Sequence, residues 1–317
     1  MNIGIVGVGS IGTRHLNIIE KMYGTNINIY LYRTSKVKGS HEEYENIYDI
    51  DEFFRKGLDT VFICNPTSRH IEFATIAAKN KCNLFLEKPL SNTLQGCDEL
   101  INIAKKNNLI TLMGCNMRFN PIILKLKKYV HENKYGRVLS FSVTCGSYLP
   151  QWRPNQDYTI SYSASKELGG GVVLDLIHEI DYCRWIFGDF KGIESSVGKI
   201  SNLDIETEDY ADIIVVTDKN IRGSIHLDYY RISSERKIEI IFENYIIIGD
   251  LIKNSITIIS KNHKKVETFQ FERNYMYEEQ IKYFFNCINN NVKTFNDIEE
   301  GYKVLKLCLD IKNKSNI

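Results

Sequence analysis

Proline is scarce in this sequence, five residues in 317, and no proline-rich linker, internal repeat or low-complexity tract divides the chain. No stretch approaches the roughly 18 consecutive apolar residues of a membrane span. Neither sign of charge dominates. With 40 basic against 39 acidic residues and a net charge of +1, the electrostatic case for nucleic acid or an anionic membrane falls away, since both need a basic face. The eight cysteines (Cys64, Cys82, Cys97, Cys115, Cys145, Cys183, Cys287 and Cys308) never form a C-x-x-C pair. A disulfide framework and a zinc centre are therefore not expected, and reduced thiols in a cytoplasmic protein are. No grouping of Cys, His and Glu has metal-ligand spacing, so no metal is expected. The apolar start lacks a basic n-region and turns glycine-rich at once, which reads as a strand and a turn rather than a signal peptide.

What is present is patterned for two domains, a length of this size being enough for two sizeable cores. Residues 2–6 form a short apolar run. Gly7-Val8-Gly9-Ser10-Ile11-Gly12 follows, and then a helical spacing through Ile11, His15, Ile18, Ile19 and Met22. This is G-x-G-x-x-G between a strand and a helix, where Gly7 permits a tight turn and Gly9 lets a pyrophosphate approach the backbone. Gly12 lets helix and strand pack closely, and the helix N-terminus favours the phosphates. The second strand, residues 27–32, ends in Arg33-Thr34-Ser35 where an NAD site usually carries Asp or Glu. A guanidinium pairs with a 2′-phosphate, so NADP is favoured over NAD.

Asp49-Ile50-Asp51-Glu52 reads as a capping box, and Gly57 ends the helix it opens. A strand over residues 60–64 leads into Asn65-Pro66-Thr67-Ser68-Arg69-His70. Another over 82–86 runs straight into Glu87-Lys88-Pro89, which sets a lysine at the carboxyl end of a strand. Ligands of open α/β sheets sit at that edge. A further strand, 110–114, leads to Asn116-Met117-Arg118-Phe119. Alternating strand and helix signals predict a doubly wound parallel sheet, with a Rossmann domain over 1–120 and a second domain over 121–317.

The second half changes texture. Alternating strands over 138–145, 192–199, 211–217, 221–230, 237–242, 246–252 and 255–260, several joined by short polar turns, predict a C-terminal α+β domain with a large, mostly antiparallel open sheet. Between the first two lies a loop carrying Trp152, Arg153, Asp157, Tyr158 and Tyr162, suited to stack on a sugar and pair with an anion; an oligomer contact arm is the alternative. Gly169-Gly170-Gly171 then precedes a helical spacing that places Asp175, His178 and Tyr182 on one polar stripe. The triple glycine is read as leaving room for a ligand. Two C-terminal helices, 277–288 and 297–311, close the chain.

Together, the first-strand glycine motif, His15, Asn65-Pro66 with His70, Glu87-Lys88-Pro89 and Asn116-x-Arg118-Phe119-x-Pro121 resemble the glucose-fructose oxidoreductase/inositol dehydrogenase (Gfo/Idh/MocA) family over nearly the whole chain. The resemblance implies an NAD(P)-dependent dehydrogenase or reductase acting on CH–OH groups. Lys88 would be the acid/base, tuned by Glu87, with His178 sharing the proton and Asp175 orienting His178. Gly7, Gly9, Ser10, Ile11, Gly12, Arg33, Thr34, Ser35, Asn65, Pro66, Thr67, His70, Glu87, Lys88 and Asn116 would line the cofactor. Arg118, Trp152, Arg153, Tyr158, Asp175 and His178 would hold the substrate. The family pattern after the triple glycine, D-x-G-x-H-x-x-D, is one residue shorter here between Asp175 and His178 and lacks its inner glycine. The loop around Trp152 resembles members that act on nucleotide-linked or sialic-acid-like sugars of bacterial surface polysaccharide. Free sugars or inositol are the alternative within the class, and a non-catalytic cofactor-binding regulator the alternative outside it. The open C-terminal sheet implies a homodimer or homotetramer.

Overall fold

The computed structural model describes residues 1–34 and 41–314; Ser35, expected at the cofactor, lies outside the described residues. In chain order the elements begin β1 (Asn2–Val6), α1 (Ser10–Tyr23), β2 (Asn28–Tyr32), β3 (Glu45–Ile47), α2 (Ile50–Arg55), β4 (Thr60–Ile63), α3 (His70–Lys79), β5 (Asn83–Leu86), α4 (Cys97–Lys106) and β6 (Thr111–Met113). They continue with α5 (Pro121–His131), β7 (Val138–Gly146), α6 (Val172–Asp175), α7 (Ile177–Phe187), β8 (Phe190–Gly198), β9 (Tyr210–Thr217), β10 (Arg222–Asp228), β11 (Glu235–Phe242), β12 (Ile246–Asp250), β13 (Ser255–Ser260) and β14 (His263–Thr268). Helices α8 (Tyr275–Asn289) and α9 (Ile298–Asn313) end the chain. Two compact units result: Met1–Cys115 with Asn274–Leu305, and Asn116–Arg273 with Lys306–Ile317. Among the described residues no helix is long and apolar enough to cross a membrane.

The first unit holds a six-stranded sheet in the order β3-β2-β1-β4-β5-β6, with every neighbouring pair parallel. The order reverses between β1 and β4, which makes the crevice at their carboxyl ends the place for a ligand. β4 is buried along its whole length, as expected of a strand covered on both faces. Phe62 and Phe85 stack at 4.6 Å on the sheet. Phe284 of α8 meets Phe85 edge-on at 5.7 Å, so this helix closes the core of the first unit. The Asp49 side chain accepts from the Glu52 N–H at 2.8 Å, the cap read from the sequence.

The second unit holds an eight-stranded sheet, β14-β13-β12-β11-β7-β10-β9-β8, antiparallel except where β10 runs parallel to β7. One face is packed. Phe187 of α7 stacks on Phe141 of β7 at 4.0 Å, and Gly249 of β12 has room only for hydrogen under Leu126 and Ile122 of α5. The other face alternates outward, with Ser142, Asp212, Ile214 and Ser224 exposed. Strands β3 and β14 were not foreseen. β14, which includes His263, Lys264, Lys265 and Glu267, is exposed on both sides and carries no alternation to betray it.

The spacing of Asp175, His178 and Tyr182 predicts one continuous helix, and here the structure differs. The chain breaks at Leu176 (φ −95°, ψ 28°), separating α6 from α7. Tyr182 belongs to the core, with its hydroxyl donating to Glu179 at 3.4 Å. The polar stripe therefore ends at His178.

On the outward face, His226 lies between two carboxylates, Nδ1 2.6 Å from Asp212 and Nε2 3.1 Å from Asp228, which also pairs with Arg231. The Asp228 hydrogen bond, more than offsetting partial burial, raises its pKa above the ordinary histidine value. A raised value means a contribution to stability that is complete below about pH 6.5 and is lost as pH climbs through the folded-state value. Thermal unfolding followed from about pH 5.5 to 9 should show the advantage of the wild type over His226→Ala shrinking as pH rises. A constant difference across that range would contradict the assignment.

Candidate functional site

The first unit assembles its polar groups at the carboxyl ends of β1, β4 and β5. Gly7 has φ +88°, and a Cβ there would lie 2.6 Å from the Asn65 backbone nitrogen. Gly12 is tighter still, its would-be Cβ 2.0 Å from the Gly7 carbonyl oxygen. Both glycines are required by the protein's own packing. Gly9 is different. Its φ of −76° suits any residue, and a Cβ would meet nothing within 4 Å. The open space above Gly9 faces a helix start with no side-chain cap and no acidic residue in its first turn. Unpaired N–H groups and the helix dipole favour an anion there, so the residues present fit the pyrophosphate of a dinucleotide. Ser10 is exposed and Ile11 half-buried in the first turn of α1.

Arg33 follows β2, with its guanidinium donating to the Asn46 side chain at 3.2 Å; Thr34 beside it is exposed. Asn65 follows β4, and both polar atoms of its side chain are buried without a hydrogen-bond partner, a pair of groups that a bound ligand would satisfy. Pro66 is exposed and Thr67 buried. His70 was expected to touch the cofactor. It is buried, with Nδ1 2.8 Å from the Pro89 carbonyl and Nε2 2.9 Å from the Asn65 carbonyl. Its role is to brace the loop after β4 against the turn after β5. Burial lowers its pKa.

Glu87, Lys88 and Pro89 follow β5, with a cis bond between Lys88 and Pro89. Glu87 is buried, while Lys88 is half-buried. The Glu87 carboxylate accepts from His15 Nε2 at 2.7 Å and from the Lys88 backbone N–H at 3.3 Å.

The second unit supplies a separate group of residues. Asn116 and Arg118 lie on one short turn, both buried. Arg118 was expected to hold the substrate. Its guanidinium is 1% exposed and bidentate to Asp181 at 2.9 and 2.7 Å, with Trp185 stacked 5.2 Å away. It fastens this turn to α7. Asp175 accepts from the Tyr229 hydroxyl at 2.7 Å, and Tyr229 meets Trp152 edge-on at 5.3 Å. Trp152 donates to Ser147 at 2.7 Å. Trp152, Arg153 and Tyr158 line one small cavity with Asp157, Ser161 and Ser163. His178 is half-buried in the first turn of α7.

The triple glycine serves the loop rather than a ligand. A Cβ on Gly170 would strike the Tyr162 and Ser163 carbonyls, and one on Gly171 (φ +107°) the Glu208 carboxylate. Tyr229 escaped the sequence reading: it falls at the end of β10, 54 residues from Asp175, and no local spacing joins the two. Among the described residues no cluster of His, Cys, Asp and Glu is placed to hold a metal.

A parallel sheet reversing at β1/β4, with a glycine turn shaped for pyrophosphate, defines a dinucleotide-binding fold. Residues 1–115 match the model of the oxidoreductase family with an NAD-binding Rossmann fold, GFO_IDH_MocA, and residues 123–248 match the GFO/IDH/MocA C-terminal domain. The chain belongs to the Gfo/Idh/MocA family. It is 32% identical to the myo-inositol 2-dehydrogenase of Thermotoga maritima over 201 residues, 60% of this chain and 55% of that protein. The chain spans about half the length of the first curated relatives it matches. Among solved structures, a levoglucosan dehydrogenase in complex with NADH superposes with a TM-score of 0.88 at 18% identity, covering 99% of this chain and 96% of that one. The UDP-N-acetylglucosamine 3-dehydrogenase of Acidithiobacillus ferrooxidans gives 0.80 at 18% identity, covering 99% and 97%. At such identities the likeness is one of fold.

The contrast between Gly9 and Gly12 is testable. Gly9→Val should leave thermal unfolding unchanged yet weaken NAD⁺ or NADP⁺ binding by about tenfold or more, about 1.4 kcal/mol, in isothermal titration. Gly12→Val should lower the unfolding temperature with no ligand present. Unimpaired dinucleotide binding by Gly9→Val would remove the pyrophosphate from that position.

Proposed function

We propose that the protein is an NAD(P)-dependent oxidoreductase that transfers a hydride between nicotinamide and a secondary alcohol or ketone of a sugar. The observation that carries this reading is Lys88, at the carboxyl end of β5 in the same unit as the open Gly9 turn and the unpaired side chain of Asn65. The bound nicotinamide would accept or return the hydride. The protein must then move the hydroxyl proton, which needs an acid/base within hydrogen-bond reach. Lys88 is assigned that role. A lysine carries its donors on a flexible stem, and the Lys88 backbone N–H is here held by the Glu87 carboxylate.

Residues 1–120 would bind the nucleotide and 121–317 the substrate. His178 binds the substrate hydroxyl and shares its proton, and Asp175, aimed by Tyr229, accepts from the same sugar. Trp152 offers a ring to a sugar face, and Arg153 and Tyr158 offer polar contacts in the same cavity. With Arg33 at the end of β2, NADP is the favoured cofactor.

The favoured substrate class is a nucleotide-linked or sialic-acid-like sugar of bacterial surface polysaccharide biosynthesis, for which Arg153 supplies a charge. A dehydrogenase of inositol or free sugars is the second reading, supported by the likeness to the myo-inositol enzyme. A regulator without catalysis would have no use for both Lys88 and His178. The outward face of the eight-stranded sheet, with Ile214 of β9 exposed on it, is the proposed contact of a cytoplasmic homodimer or homotetramer.

Nicotinamide reduction by the purified protein, with NAD⁺ and NADP⁺ in parallel against nucleotide sugars, sialic-type acids, free sugars and inositols, should single out one sugar class. Lys88→Ala should lower kcat by about 100-fold or more, and Arg33→Asp should shift preference from NADP⁺ to NAD⁺. Turnover that survives Lys88→Ala would remove the lysine from proton transfer.

A further inference from the structure

His15 is singled out by the sequence and left unused by the proposed reaction. It sits in α1, the helix that begins at the glycine turn, and is fully buried. Its ring is enclosed by Phe85 at 4.9 Å, Phe62 at 5.7 Å and Tyr277 at 6.0 Å. Nδ1 has no hydrogen-bond partner, whereas Nε2 lies 2.7 Å from Glu87 Oε1. A carboxylate can only accept, so the proton of this bond belongs to Nε2.

The surroundings of Glu87 are built to receive its side chain. Gly114, just past β6, forms one wall: a Cβ there would stand 2.9 Å from both the carboxyl carbon and Oε1. The second oxygen accepts the backbone N–H of Lys88 at 3.3 Å. A buried carboxylate needs such donors to stay charged at tolerable cost. A histidine that merely filled a hydrophobic gap would need neither the short bond nor the glycine slot. The pair joins the helix that starts at the phosphate-binding turn to the strand end that carries the lysine.

We infer that His15 is a positioning residue for Lys88, acting through Glu87. Its Nε2–H bond fixes the Glu87 carboxylate in the Gly114 slot, and that carboxylate holds the Lys88 backbone in register with the turn at Gly7–Gly12. The inference rests on the reading of Lys88 as the proton-transfer residue. Loss of the bond frees the Lys88 turn while leaving the glycine turn intact, so chemistry suffers before cofactor binding does.

The test uses His15→Leu, His15→Gln, Glu87→Gln and the His15→Leu/Glu87→Gln double variant in the full chain. His15→Leu should bind NAD⁺ or NADP⁺ as the wild type does, lose about 10- to 100-fold in kcat and show a displaced pH profile of kcat. His15→Gln, which keeps an N–H donor, should recover much of the loss. The double variant should be no worse than the poorer single, as expected of residues acting through one bond. A readout free of turnover is the rate of Lys88 acylation against pH, followed by mass spectrometry, which should differ between wild type and His15→Leu.

Wild-type kcat, pH profile and Lys88 acylation in His15→Leu would overturn the inference, as would losses that simply add in the double variant. Should His15→Leu fail to fold, His15→Gln and Glu87→Gln decide. Matching changes of the Lys88 acylation profile in the two support the bond, and wild-type profiles in both overturn it. Failure of the underlying reading has a separate signature: turnover surviving in Lys88→Ala while Lys88 acylation still responds to His15.

Discussion

Because all six strands of the first sheet run the same way, their carboxyl ends must open on one edge, and the loops that leave them must share it. The rest of the first unit follows from how those loops are fitted together. The turn after β1 is pressed against the loop after β4, where Gly7 leaves no room for a side chain beside Asn65. That loop is tied to the turn after β5 by His70, between the Asn65 and Pro89 carbonyls. The turn after β5 is tied back to α1 by Glu87 and His15. Backbone fit and buried polar bonds thus join these turns to one another, while the Gly9 position among them is left open.

The second unit solves a related problem by different means. Its candidate residues come from far apart in sequence, and buried pairs gather them. Tyr229, at the end of β10, reaches Asp175 at the end of α6. Arg118 grips Asp181 from the turn before α5. Glu179 of α7 meets Arg236 of β11 at 2.7 Å. Breaking such a pair strands a charge in the core, so each holds its element more firmly than its net contribution to stability suggests. The break at Leu176 gains meaning here. It lets Asp175 turn to Tyr229 while His178 opens the next helix.

Much of this was legible in the sequence because it is local. The glycine turn, the Asp49 cap and the strand running into Glu87-Lys88-Pro89 are encoded by neighbours, and the antiparallel texture of the second half by period-two alternation. The misreadings have a common cause in long-range partners. The partner of Arg118, Asp181, is 63 residues away and outside any local pattern. The Pro89 carbonyl that His70 meets is equally invisible in a one-dimensional reading. The triple glycine looked like a ligand's clearance, when the Glu208 carboxylate and the Ser163 carbonyl are what demand it. Tyr229 could not be found at all. Helical spacing joined Asp175 to Tyr182 because spacing carries no mark of a single residue leaving the helix.

The polar strand β14 bears on how copies of this chain can meet. As the last strand of the eight-stranded sheet it has, among the described residues, one ladder of backbone groups without a partner strand, the kind of border onto which a foreign strand can add. Its side chains make that border inhospitable: Lys264 and Lys265 stand exposed along it, and the single carboxylate of Glu267 pairs with both Lys265 and Lys125, leaving a net positive charge. A strand added there would have to lie along exposed ammonium groups. The sheet is thereby guarded against growing sideways into a ribbon.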